Sequence, residues 1–198
     1  MKVVTLNQPR FNAACVELWN QAVSRVRPDI LIGIRTGGFV VAQAITDGAD
    51  LSNVGVLPIT KRRASTAAKS GNPWVGRILR RLPYAVTDRI RSVEHHLLTR
   101  PGKPAKPASI WEPDPTEAAA LVDELRRRPA SRVLIVDDAV DTGATLKAVV
   151  AFVAASAPQA SVTTAALVVT AADPVIRPDI VLYREILCRF PWSHDFHG

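Results

Sequence analysis

Residues 133–146 read VLIVDDAVDTGATL: an apolar run, then three aspartates within five residues, then Thr-Gly-Ala-Thr before apolar residues resume. The run is short and β-rich, as a buried strand is, and the apolar residues beyond Gly143 have helical spacing. In a parallel α/β sheet, ligands bind beyond the carboxyl ends of the strands, where this turn falls. Gly143 permits a tight turn and a close backbone approach. Thr142, Gly143, Ala144 and Thr145 can aim amide N–H groups and two hydroxyls at one point beside a helix start, which is a phosphate site by geometry and by dipole. The loop lacks the lysine and glycine spacing of a nucleoside-triphosphate P-loop, which excludes that reading. Asp137 and Asp138 repel phosphate; they can accept hydrogen bonds from a sugar diol or hold a hydrated Mg²⁺. The combination asks for a sugar phosphate with free hydroxyls and for a metal. The bland alternative, an acidic surface turn, gives no reason for the Thr-Gly-x-Thr.

Outward from this stretch, helix and strand signals alternate. Phe11, Ala14, Cys15, Leu18, Val23 and Val26 have helical spacing, and Pro28 ends that segment. Residues 29–34 (DILIGI) predict a buried strand, "TGG" a turn and FVVAQAI a helix. NVGVLPI predicts a second strand. EAAALVDELRRR predicts a helix that Thr116 could cap. RVLIV, VTTAALVV and DIVLY complete the strands. Strands separated by helices of this length imply an α/β fold, a parallel sheet with helices on both faces, in a single domain spanning 1–198.

One segment stands apart. Between Lys61 and Lys106 twelve Lys/Arg face two acids, a local charge of +10, while the rest of the chain sums to −3. WVGRILRRL and AVTDRIRSVEHHLL predict two amphipathic helices split by Pro83, and a proline-rich connector comes after them. Residues 61–115 are therefore expected to form a basic helical insertion. Its readings are a helical cap with a solvated outer face, a hood over the site, a homodimer interface or a nucleic-acid surface; it matches no nucleic-acid motif, and the hood is the expectation. No apolar run is long enough to span a membrane, and no signal peptide is visible at the start. Cys15 and Cys188 lie far apart, as reduced thiols of a cytoplasmic protein do.

Residues 133–146 resemble the phosphoribosyl-diphosphate-binding motif of type I phosphoribosyltransferases: hydrophobic residues, two acids, two variable residues, an acid, Thr-Gly and a later Thr. The resemblance implies that Asp137 and Asp138 bind the ribose 2′- and 3′-hydroxyls, and that Ala139, Val140, Asp141, Thr142, Gly143, Ala144 and Thr145 cradle the 5′-phosphate. In the family's 6-oxopurine branch, the acid in the position of Asp141 lies near N7 of the base as proton acceptor or donor. The stretch GIRTGGFVVAQAI, about a hundred residues earlier, looks like the family's diphosphate loop, with Arg35, Thr36, Gly37 and Gly38 binding the leaving group and a non-proline cis peptide near Arg35–Thr36. By itself RTGG is a weak signal, because any strand-to-helix turn favours glycine; the two motifs in this order are far more specific. Lys61, Arg62 and Arg63 come after the second strand where the family has a mobile lid, although a solvated basic turn would look the same. Phe190 and Trp192, in a terminal FPW segment, are base-stacking candidates, with plain packing as the alternative. After the strand VTTAALVV no lysine appears where many 6-oxopurine members carry one, so the base is not specified. The resemblance implies a Mg²⁺-dependent phosphoribosyltransferase, transferring 5-phosphoribosyl from phosphoribosyl diphosphate to a nucleobase-like nitrogen, with release of diphosphate. The alternative is a regulator that keeps the fold to sense phosphoribosyl diphosphate or a nucleotide.

Overall fold

The computed structural model describes residues 2–61, 83–84, 86–89 and 111–196. Along the chain the elements are β1 (Lys2–Thr5), α1 (Gln8–Val26), β2 (Ile30–Ile34), α2 (Gly37–Gly48), β3 (Gly55–Ile59), α3 (Pro115–Arg127), β4 (Arg132–Val140), α4 (Ala144–Ser156), β5 (Ser161–Val169), β6 (Ile180–Arg184) and β7 (Ile186–Arg189). Five strands form one parallel sheet in the order β3-β2-β4-β5-β6. All five residues of β2 are buried, as a strand covered on both faces requires.

Strand periodicity divides the core in two. Leu31, Leu134, Val136, Ala165 and Leu167 join one cluster with Phe11, Cys15 and Leu18 of α1 and Val41 and Ile45 of α2. Their neighbours Ile30, Ile32, Val133, Ile135 and Ala166 join the other, with Leu121 and Leu125 of α3 and Leu146, Val149 and Val153 of α4. Successive side chains point to opposite faces, so each strand feeds both cores. At the amino ends of β2 and β4, the Asp29 carboxylate accepts hydrogen bonds from the backbone N–H, Nε and a terminal nitrogen of Arg132 at 2.9, 2.9 and 2.7 Å. Those hydrogen bonds hold its carboxyl at about 2.

Two local expectations change. Asp137 and Asp138 lie inside β4, whose pairing with β5 continues to Val140 opposite Val169. The turn proper is therefore only Asp141–Gly143 long. Sequence alone ended the strand at the first charge; the ladder to β5 carries it further. The cap of α3 is Asp114, not Thr116: its carboxylate accepts from the N–H groups of Thr116 and Glu117 at 3.0 and 3.2 Å. Pro115 then occupies the first turn, where its missing N–H costs nothing.

Strands β1 and β7, which local patterning does not reveal, pair in parallel with each other, Lys2 opposite Ile186 through Thr5 opposite Arg189. The N–H of Glu185 bonds the carbonyl of Val169 at 2.9 Å, which starts β7 at the carboxyl edge of the main sheet. The insertion leaves beside its own return: Lys61 bridges Pro113 in antiparallel fashion, and the Asp114 N–H bonds the Thr60 carbonyl at 2.8 Å. Most of the insertion, including both predicted amphipathic helices apart from residues 86–89, lies outside the described residues.

The described fragment near Pro83 meets β7 at Arg189. This side chain is 1% exposed, yet its donors are satisfied. Nε reaches Asp195 at 3.0 Å, one terminal nitrogen reaches Thr5 at 2.8 Å, and the other meets Thr87 at 3.0 Å and also Asp88. The guanidinium lies 4.2 Å from the centre of the Tyr84 ring. Burial works against the charge, but the bonds to Asp88 and Asp195 outweigh it and hold the group protonated. Three segments distant in sequence thus close on one cation. Breaking a buried pair by removing one partner costs about 3–5 kcal/mol. Arg189→Met is therefore expected to lower Tm by roughly 10 °C in thermal unfolding. Adding Asp195→Leu should recover part of that loss; an unchanged Tm in the single variant would refute the role.

Candidate active site

The site forms where β4 outruns β2. Pairing between them ends at Gly33 opposite Val136, and the chain leaves β2 through Arg35–Gly38. The Arg35–Thr36 peptide is cis, where the family resemblance implies one. The Arg35 N–H still bonds the Ile59 carbonyl at 2.9 Å, which anchors the loop to β3. The next two residues lie directly on β4. A Cβ on Gly37 would stand 2.1–2.2 Å from the Asp138 carboxyl group, and one on Gly38 would stand 2.5 Å from the Val136 carbonyl. At Gly38, where backbone is the obstacle, only glycine allows this approach, and at Gly37 a side chain would displace the Asp138 carboxyl; the two motifs seen in the sequence touch.

The aspartates are crowded as a result. The Asp138 N–H donates to Asp137 Oδ1 at 3.0 Å. Burial, with Asp138 beside it, pushes the Asp137 carboxyl well above the usual range. Burial also raises that of Asp138, against hydrogen bonds from Asp137 and nearby backbone that lower it. Two adjacent desolvated carboxyls suit a partner that supplies hydroxyl donors or positive charge.

Beyond them a cleft of about 140 Å³ is lined by Asp137 and by Ala139, Val140, Asp141, Thr142, Gly143, Ala144, Thr145 and Leu146. Gly143 has φ +78° and packs on the Ile176 backbone, so a side chain there would be both strained and blocked. Helix starts differ according to their place. Asn7 caps α1 and Asp114 caps α3 through their side chains, whereas α2 and α4, which begin at the site, have no bond from an N-cap side chain, although the Ala144 N–H of α4 bonds Thr142 Oγ1 at 3.3 Å. The site thus keeps two positive helix ends.

Arg35 Nε pairs with Glu117 Oε1 at 3.2 Å, and its guanidinium lies 4.7 Å from the centre of the Phe39 ring. Glu117 was not singled out from sequence, although its place in the first turn of α3 is readable. A further unforeseen element is the segment after β5. The Thr170 hydroxyl donates to Asp141 Oδ1 at 3.1 Å, and the Val175 N–H bonds the Thr142 carbonyl at 2.9 Å. With Ile176 behind Gly143, three successive loop positions are each held by that segment.

Phe190 and Trp192 lie in an aromatic cluster with Phe11. Their rings stack at 4.9 Å and 3°, and Phe11 meets both edge-on. Phe190 is buried; Trp192 is 41% exposed. Lys61 sits at the mouth of the insertion, and Arg62 and Arg63 lie outside the described residues. Among the described residues no group of three or more His, Cys, Asp or Glu gathers as a metal site, and no helix is long and apolar enough to cross a membrane.

Comparison with known proteins bears on the family and the fold. A family model described as phosphoribosyl transferase domain matches residues 5–194. No curated protein sequence matches the chain. Among solved structures, purine phosphoribosyltransferase from Pyrococcus horikoshii Ot3 is similar at a TM-score of 0.59 and 20% identity, over 100% of this chain and 98% of that one. Xanthine-guanine-hypoxanthine phosphoribosyltransferase from Helicobacter pylori is similar at 0.56 and 17%, over 96% and 93%. A hypothetical protein from Neisseria gonorrhoeae with bound ppGpp is similar at 0.56 and 13%, over 96% and 89%. At these identities the likeness is one of fold.

The raised carboxyls have a measurable consequence. Between the ordinary aspartate range and the raised value, the folded protein binds more protons than the unfolded chain, so this pair's effect on stability turns unfavourable as pH rises through that window. Asp137→Asn removes the effect. Thermal unfolding from pH 4 to 8 is expected to show a variant more stable than wild type at neutral pH, by roughly 2–4 °C for each 1 kcal/mol, with the gap closing towards pH 4. A variant that is less stable at pH 7 would contradict the assignment.

Proposed function

As a member of the phosphoribosyl transferase domain family, over residues 5–194, this chain is a phosphoribosyltransferase, and we propose that it transfers 5-phosphoribosyl from phosphoribosyl diphosphate to a nucleobase-like nitrogen, with Mg²⁺ at the donor. The observation that carries this reading is the contact of Gly37 and Gly38 with Asp137 and Asp138, which joins a cation-bearing turn to a phosphate-sized cleft across an acidic pair. The names of the two purine-enzyme neighbours make a purine the first acceptor to test.

In this reading Asp137 and Asp138 accept the ribose 2′- and 3′-hydroxyls, and Ala139, Val140, Asp141, Thr142, Gly143, Ala144 and Thr145 hold the 5′-phosphate. Arg35 and the backbone of Thr36, Gly37 and Gly38 receive the diphosphate. Asp137 and Asp138 are the residues that would hold a hydrated Mg²⁺, which when bound would neutralise charge on the diphosphate. The C1–O bond breaks with its electron pair leaving on diphosphate, and the acceptor nitrogen supplies the pair for the new C1–N bond. The proton released from the acceptor passes to Asp141 or to water. The protein's contribution is alignment of donor and nucleophile and stabilisation of the departing charge. Trp192, half uncovered above buried Phe190, is the side chain offered for stacking on the base. Lys61, Arg62 and Arg63 would close over the diphosphate as a lid that excludes water, and the rest of the insertion would serve as a hood whose charge attracts a phosphate-rich ligand. A cytoplasmic location suits the substrate.

Calorimetry with phosphoribosyl diphosphate and Mg²⁺ is expected to show binding by wild type, weakened at least tenfold, about 1.4 kcal/mol, in Asp137→Asn/Asp138→Asn. Gly37→Ala, with no room for its methyl group, is expected to lose donor binding while its far-UV circular dichroism stays that of wild type. Undiminished binding by the double variant would overturn the ribose assignment. Incubation with the donor, Mg²⁺ and a panel of purines and other bases should release diphosphate; tight donor binding without release for any acceptor would favour the sensor over the enzyme.

A further inference from the structure

We infer that Thr170 is the positioning residue for Asp141, fixing the carboxylate that meets the acceptor; the inference rests on the transfer reading above. Asp141 is exposed in a three-residue turn, where a carboxylate with nothing to hold it would exchange among rotamers. Thr170 is 9% exposed, and its backbone continues the sheet: its N–H bonds the Val140 carbonyl at 2.9 Å. From that fixed base its hydroxyl reaches Asp141 Oδ1 at 3.1 Å and the Val140 carbonyl at 3.4 Å. A hydroxyl has one proton to give. The Val140 carbonyl is farther off and already accepts the backbone N–H, so the proton goes to Asp141. One carboxylate oxygen is thereby committed, and Oδ2 is left to the acceptor's N–H.

The placement has a specific kinetic consequence. Donor binding runs through Asp137, Asp138, the cleft amides and the Arg35 loop. The neighbouring turn positions are held independently by Val175 and Ile176. Loss of the Thr170 hydroxyl should therefore spare the donor and impair the encounter of Asp141 with the acceptor. Misplacement of a reacting group by about 1 Å can cost on the order of 10²-fold in rate.

The test compares Thr170→Val and Thr170→Ser with wild type, measuring diphosphate release at saturating donor, KM for each substrate and thermal stability. Valine keeps the branched shape without the hydroxyl; serine keeps the hydroxyl without the methyl. Thr170→Val is expected to lose roughly tenfold or more in kcat, with donor KM and Tm near wild type, and Thr170→Ser is expected to recover most of the rate. Undiminished kcat in Thr170→Val overturns the inference. So does a serine variant as impaired as the valine one, or a loss of donor binding and Tm in parallel with rate, which would make Thr170 a brace of the whole turn. A wild-type protein that releases no diphosphate overturns the transfer reading itself, and this inference with it; an active wild type with an unimpaired valine variant overturns the inference alone.

Discussion

Gly37 and Gly38 lie against the end of β4 with no space for a side chain between them and Asp138 or the Val136 carbonyl, and the rest of the site depends on that contact. It sets the turn after β2 beside the aspartates, removes water from two adjacent carboxyls, and raises both above their usual range. A fold selected for stability alone would not place two acids there. Their desolvation is offset only when something brings hydroxyl donors or a cation, so the unfavourable pair is itself a statement about the ligand.

Helix ends show the same division of labour. Away from the site, Asn7 and Asp114 close their helices with side-chain oxygens; at the site, α2 has no such bond and α4 has only the 3.3 Å bond from the Ala144 N–H to Thr142 Oγ1. Leaving N-terminal amides to a ligand costs some stability in the ligand-free protein. The turn before α4 is correspondingly braced from outside by Val175 and Ile176, while the Thr170 hydroxyl bonds the Asp141 carboxylate within it. Arg35 is likewise steadied by Glu117 and Phe39, so the charge in the turn after β2 is oriented before any ligand arrives.

The second layer is organised by Arg189. A buried guanidinium is tolerated only when its donors are matched, and here the partners come from β1, the insertion and the terminal segment. Strands β1 and β7 are each four residues long and have no partner but each other among the described strands. The arginine supplies the cross-link that a two-stranded ribbon lacks.

Sequence alone determined the alternation of helices and strands, the parallel sheet and the family, because these rest on local periodicity and on a motif whose residues are contiguous. It also determined which residues line the cleft after β4, since 139–145 are neighbours in the chain. Tertiary structure decided what those residues touch. That Asp137 and Asp138 are strand residues came from pairing with β5, which no local pattern encodes. β1 and β7 existed only as a pair, across the whole length of the chain. The roles of Thr170, Glu117 and Arg189 were invisible because a polar residue's worth depends on partners 29, 82 and more than a hundred positions away. Local sequence sets backbone preference and face; long-range hydrogen bonds, which burial makes obligatory, set which charge meets which donor.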